Sequence, residues 1–173
     1  MTVINLPVSI GEGLDKLAIL KIKATHIKVI EKLHHINNEI DLISPLLLPF
    51  ITDNIINILY NDLVYINQRI WDLVDIARDK GTTDPIVMKE NDARFRIKNR
   101  INVYLQSSIQ EQKNTNSTSK KFYINTLKEL HENIEIINNE RLYIDNILIY
   151  TTTPELKDEI NNLFKYNTEI KVI

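Results

Sequence analysis

The chain has 173 residues, 43% hydrophobic and 25% charged, with no cysteine and a formal net charge of −2 at pH 7. That balance describes an ordinary folded protein. It excludes a disulfide framework, a thiol nucleophile, a Cys-type zinc site and any blanket electrostatic attraction to nucleic acid or anionic membrane. No uninterrupted apolar run reaches the ~18 residues of a spanning segment, and MTVINLPVS lacks the basic start and apolar core of a signal peptide. A soluble, cytoplasmic protein with no membrane association is expected.

Ser9-Ile10-Gly11-Glu12 has the form of a capping box, with Ser9 accepting from the Glu12 N–H and Glu12 reaching back to the N–H of Ser9. The helix it opens is predicted to run to about Leu42. A heptad can be counted along it, with Asp15, Ile22, Val29 and Ile36 in one row and Ile19, His26, Leu33 and Ile40 in the other, as in a coiled coil. Gly11 and Gly13 lie in the first turn, where each glycine costs up to about 1 kcal/mol relative to alanine. Glu12 between them argues against a phosphate cradle, and close approach of another segment is the expected reason for both.

Pro45 and Pro49 bracket an apolar connector. Thr52 or Asp53 can cap a second helix with the stripe Leu59, Leu63, Ile66, Ile70, Leu73 and Ala77, ended by Gly81. Asp84-Pro85 opens a third helix, predicted to reach about Gln112. The polar run NTNSTS, residues 114 to 119, is a loop and the best candidate for a mobile segment. A fourth helix follows, with Tyr123, Leu127, Leu130, Ile134 and Ile137. The pattern then changes to strand, helix, strand over Asn146–Tyr150, Pro154 to Phe164 and Glu169–Ile173, a βαβ unit. The expected fold is mainly α: an antiparallel bundle of about four long helices over 1–142, and a small βαβ appendage over 143–173, packed on the bundle or on a partner. Two parallel strands make a poor sheet, so this segment is the expected contact for a second copy or a protein partner.

Asp15 and His26 interrupt the apolar seam. A buried carboxylate needs a partner, and ENDARFRIKNRIN, with Arg94, Arg96, Lys98 and Arg100, is the densest cationic segment. Asp15, Arg94, Lys98 and Arg100 are therefore the anion-binding candidates, for a small carboxylate or phosphate. Ion pairing with Asp15, Asp72 and Asp75 is the plainer expectation. His26 is expected to be a hydrogen-bonded seam residue. Trp71, the sole tryptophan, either packs or contributes a binding surface. Adjacent His34 and His35 cannot form an i, i+4 metal pair. No metal-binding, cofactor-binding or nucleophile motif is present, and no catalytic residue is assigned.

Val8-Ser-Ile-Gly-Glu12, Leu14-Asp-Lys-Leu17, Ile19-Leu20 and Ile22-Lys23 resemble the opening of an uncharacterised bacterial helical family, a domain of unknown function. The resemblance continues at Trp71-Asp72, Asp75 and Arg78, at Asn91-Asp92, Arg94, Ile97-Lys98 and Ile101-Asn102, and weakly over 107–113. Gly13 departs from the bulkier residue of that pattern. The resemblance implies a setting beside surface-glycan and glycosyltransferase functions, and no reaction.

The leading expectation is thus a non-catalytic interaction or accessory module, linked by that resemblance to glycan or nucleotide-sugar biosynthesis. The alternative is a small helical enzyme or ligand-binding protein for an anionic metabolite, in the style of bundle-type chorismate mutases, with Asp15 or Glu12 as acid/base and Arg94 and Lys98 as clamp. One open cavity lined by Asp15, Arg94 and Lys98 would favour the alternative; charges paired in a closed core would disfavour it. Nucleic-acid binding through the basic segment is the weakest reading, because few aromatics accompany it.

Overall fold

A computed structural model of the chain describes residues 5–80, 85–109, 111–113 and 117–173. The chain divides into two compact units, 1–112 and 113–173.

The first unit holds α1 (Ile10–His26), α2 (Ile30–Ile51), α3 (Asn54–Lys80) and α4 (Pro85–Tyr104). Residue pairs give their directions. Gly11 meets Asn102 and Glu12 meets Lys98, so α1 and α4 run antiparallel. Asp53 meets Tyr104 and Arg69 meets Glu90, so α3 and α4 do too. Four long antiparallel helices are present, as the expected fold class requires, but they all lie within 1–112 and are not the four helices expected. Its core includes Leu14, Leu17, Ala18, Ile56, Leu63, Ile66, Ala93, Ile97 and Ile101, none of them measurably exposed.

The helix expected over Ser9 to Leu42 is two helices. Ile27 and Val29 are both extended. The Thr25 hydroxyl donates to the Ile22 carbonyl and the Lys28 ammonium to the Thr25 carbonyl, 2.7 and 2.8 Å. Local side-chain bonds and the β-branched run Ile27, Val29, Ile30 both weaken helix there. The heptad does not survive the break, and Val29 is 52% exposed. Conversely, α2 passes through Pro45 and Pro49. Both prolines are exposed, so water can hydrate the carbonyls their missing N–H groups leave over.

Asp53 caps α3, accepting from the N–H groups of Ile55 and Ile56 at 2.8 and 3.1 Å. The expected stop at Gly81 and the cap at Asp84 lie outside the described residues. The next helix ends at Tyr104, short of Gln112. Gln106 has φ 53°. The Ser107 N–H donates to the Asn102 carbonyl at 2.8 Å and the Gln106 N–H to the Val103 carbonyl at 3.1 Å. That is a Schellman stop with a non-glycine in the left-handed position.

The second unit is β1 (Ser119–Tyr123), α5 (Leu127–Glu140), β2 (Asn146–Tyr150), α6 (Pro154–Leu163) and β3 (Ile170–Val172), with a parallel sheet in the order β1-β2-β3. The βαβ step is as expected, but a further strand and helix precede it, so Tyr123 belongs to a strand instead of the fourth helix. Thr126 ends any helical continuity, with Glu129 completing a capping box around α5. The division drawn at 142/143 also moves, since Leu130 and Ile137 of α5 share one apolar core with Phe122, Ile147, Ile149, Leu156, Ile160 and Phe164. Of the polar run 114 to 119, residues 114–116 lie outside the described residues and Ser119 opens β1.

Candidate functional site

The polar centre of the helical unit is built where α1 crosses α4. A Cβ on Gly11 would stand 2.7 Å from the Lys98 carbonyl oxygen, which is backbone, and one on Gly13 would stand 2.8 Å from a Leu47 methyl. The two glycines are therefore the floors on which α4 and α2 rest. The Gly11 N–H donates to Asn102 Oδ1 at 2.9 Å, tying the first turn of α1 to α4.

Ser9 accepts from the Glu12 N–H at 3.2 Å. The reciprocal half of the expected capping box is absent, because the Glu12 carboxylate turns to Lys98. Lys98 Nζ donates to Glu12 at 2.6 Å and to Glu111 at 2.7 Å, with 9% of its side chain exposed. Burial alone would depress the ammonium, but the bonds to Glu111 and Glu12, and the nearby Asp15 charge, outweigh it and hold its pKa above the ordinary lysine value.

Asp15, 5% exposed, accepts from Asn67 Nδ2 at 2.7 Å. Asn67 Oδ1 in turn accepts from Arg94 Nη1 at 3.4 Å. The amide is a relay between carboxylate and guanidinium. Burial pushes the Asp15 carboxyl above the usual carboxylate range, against the Asn67 bond and the Arg94 and Lys98 charges. Asp15, Arg94 and Lys98 thus share one electrostatic neighbourhood, as expected, but do not line one cavity. Asp15 lines a groove of about 370 Å³ with Glu12, Lys16 and Glu39. Arg94 lines another of about 220 Å³ with Asn67, Trp71, Asp75 and Arg78. Lys98 and the half-buried Arg100 line neither groove.

The pairings expected with Asp72 and Asp75 are replaced by local ones. Asp72 accepts from Gln68 at 2.8 Å and Asp75 from Arg78 at 3.1 Å, each within α3. His26 is hydrogen-bonded, its Nε2 being 3.2 to 3.4 Å from the Gln68 amide, but it is an exposed residue outside any apolar seam. Trp71 stacks on the His26 ring at 5.1 Å and 22°, and its indole nitrogen is buried without a hydrogen-bond partner.

Sequence reasoning missed Asn67, Asn102, Glu111 and the Arg69–Glu90 pair, in which two guanidinium nitrogens donate to a 1% exposed carboxylate at 2.7 and 3.1 Å. The available signal was position. Asn67 and Asn102 each directly follow a stripe isoleucine, Ile66 and Ile101, and so flank the buried face.

Among the described residues no group of three or more His, Asp or Glu side chains could hold a metal ion, and no helix is long and apolar enough to cross a membrane. No protein-family model matches the chain, and no curated protein or solved structure is significantly similar to it.

Proposed function

We propose that the chain is a non-catalytic interaction module that self-associates through α2. The observation that carries this reading is a contrast between two surfaces. Lys98, the most deeply placed cation of the proposed clamp, is consumed by Glu12 and Glu111, whereas α2 buries only Leu47. Leu42, Pro45, Leu46 and Pro49 fall on one exposed ridge of that helix, with Leu42 and Leu46 at 72% and 70% exposure. Exposed apolar surface of that kind is a partner's contact area. Residues 42–52 contain no charged side chain, so two copies of the ridge can meet about a two-fold axis without opposing like charges. The earlier reason to place association in 143–173 weakens, because β1 supplies the strand that the βαβ step lacked. A role beside glycan or nucleotide-sugar enzymes rests on the sequence resemblance alone.

Light scattering on the full chain tests the reading. A mass above that of one chain, reduced to one chain by a Leu42→Asp, Leu46→Asp double variant, is the expected result. A single-chain mass at every concentration removes the proposal.

A second reading is favoured by the unpartnered indole N–H of Trp71 beside Arg94 and Arg78. The ~220 Å³ groove is below the usual ~300 Å³ floor for drug-sized ligands, so its occupant would be a small anion-bearing molecule. A thermal-shift screen with phosphates, dicarboxylates and nucleotide sugars decides it. A hit abolished by Arg78→Ala, Arg94→Ala supports a ligand site; silence leaves the interaction module.

A further inference from the structure

Within the second unit, α5 and α6 cover one face of the parallel sheet. Phe122, Ile147, Ile149, Ile170 and Val172 point toward α5 and α6 and form the core with them. Successive strand residues alternate between faces, so the opposite face carries Ser119, Lys121 and Tyr123 from β1, Asn146, Leu148 and Tyr150 from β2, and Lys171 from β3. Parallel sheets ordinarily have both faces covered and both lined with aliphatic side chains. This face has one leucine, two tyrosines and two lysines. It is built for something other than a covering helix.

The register organises these groups into rows. Lys121, Leu148 and Lys171 are aligned across the three strands, which puts an exposed ammonium at each end of one row. Tyr123 and Tyr150 form the next row, and their rings stack at 5.2 Å and 18°. The Lys121 ammonium lies 5.8 Å from the Tyr150 ring centroid. Because β1 is an edge strand, the Tyr123 ring has no neighbouring strand on its outer side, and the residue is 67% exposed. The two-ring stack is open at that end.

Charge is segregated around it. The strands carry Lys120, Lys121 and Lys171 and no acidic residue, and Lys120, on the covered face, is paired with Glu140 at 2.8 Å. Asp145, just ahead of β2, is held by the Thr118 N–H and hydroxyl at 2.7 and 3.0 Å. The whole-chain charge of −2 therefore says little about this surface.

We infer that the open sheet face binds single-stranded nucleic acid: a base extends the Tyr150–Tyr123 stack on the outer side of Tyr123, and Lys121 and Lys171 contact the flanking phosphates. Flat aromatic faces beside lysines are the chemistry by which single strands are held without sequence readout. A second copy of the chain is disfavoured as occupant, since face-to-face pairing would oppose the lysines. An acidic peptide would satisfy the lysines but leave the aromatic stack unused.

Fluorescence anisotropy of labelled oligo(dT) and oligo(rU), each about 12 nucleotides, against the full chain at low salt tests this. Tyr123→Ala should weaken binding roughly ten-fold or more, while Tyr123→Phe, which keeps the ring, should stay within about two-fold. The exposed-site double variant Lys121→Gln, Lys171→Gln should weaken binding and lower the logarithmic salt slope by about 1.4. Circular dichroism checks folding; should Tyr123→Ala unfold, the lysine variant and the salt slope decide alone. Any one of three results overturns the proposal: no binding of either oligonucleotide, binding indifferent to the lysine variant, or binding that a folded Tyr123→Ala leaves intact. Competition by polyglutamate as strong as by oligo(dT) would also overturn it and indicate an acidic protein partner.

Discussion

The two units of this chain bury different things. The helical unit closes around Asp15, Glu90, Lys98, Asn67 and Asn102, all buried, and Lys98, Arg69 and Arg94 find their partners within the unit. The C-terminal unit closes around nine buried apolar residues, Phe122 to Phe164, with Glu169 and Arg141 (3.5 Å apart) as its buried ion pair. The apolar cluster itself responds to volume and holds no titrating group. A polar centre of the first kind fixes helix register, because each buried group must find its partner, and it makes stability respond to single charges. The difference also locates function. Lys98, paired internally, is lost to ligands, so the surfaces left available are the apolar ridge of α2, the groove beside Trp71 and Arg94, and the open face of the sheet.

Seven substitutions at six positions sharpen or break that contrast. The largest effect is expected from Ile149→Ala, which empties the apolar core of the second unit and should cost about 3–4 kcal/mol in denaturant unfolding, with no dependence on pH. Next is Arg69→Ala. It removes the two guanidinium hydrogen bonds to the 1% exposed Glu90 and should cost roughly 3 kcal/mol, with Arg69→Lys retaining only part because it lacks the two-pronged geometry. If Arg69→Ala proves neutral, the polar centre is not what holds α3 to α4. Third, Gly11→Ala should destabilise by about 2 kcal/mol, since a Cβ there meets the backbone of α4. Gly13→Ala should stay within about 1 kcal/mol of wild type, because a leucine side-chain end can move aside while helix propensity improves. Fourth, Gln106→Gly should raise the melting temperature, by an amount matching up to about 1 kcal/mol, by relieving the left-handed backbone.

The smallest effect is electrostatic and its sign can be worked out. The Asp15 carboxyl is held above its unfolded value by burial. The folded state therefore binds the proton more tightly, and the resulting stability is fully present below about pH 4 and lost as pH rises through the folded pKa. Asp15→Asn, which can still accept from Asn67, should be more stable than wild type at pH 7 and equal to it below about pH 4. Equal stability at both pH values would mean that Arg94 and Lys98 fully compensate the burial. Asp53 behaves oppositely. The Ile56 N–H bond, with those from Tyr104 and Ile55, lowers its pKa, so its capping contribution is present above about pH 4 and lost as pH falls through the folded value.

Much of this was legible from residue order. The stripe from Leu59 to Ile70, a cap at Thr52 or Asp53 and the strand-helix-strand end were all read from periodicity and capping chemistry, and the close approach at Gly11 and Gly13 followed from their cost. The break at Ile27–Val29 was not, because the heptad continued through it and only local side-chain bonds and β-branching opposed it. Strand β1 was missed because Tyr123 stands four residues before Leu127 and mimics a helical stripe, hiding the two-residue alternation of SKKFY. With that strand unseen, Lys121, Tyr123, Tyr150 and Lys171 remained separate residues scattered over about 50 positions, and no motif connected them.

The amino-acid order by itself determined where helices and strands could begin and which faces had to be apolar, since those depend on neighbours within about four positions. Partner choice was decided by tertiary structure alone. Lys98 went to Glu12 and Glu111 instead of an open cavity, and Asp15 reached Arg94 through the amide of Asn67, because electrostatic pairing depends on distances that only packing establishes. The same holds for the sheet face, where strand register gathers cations and rings that the chain keeps far apart.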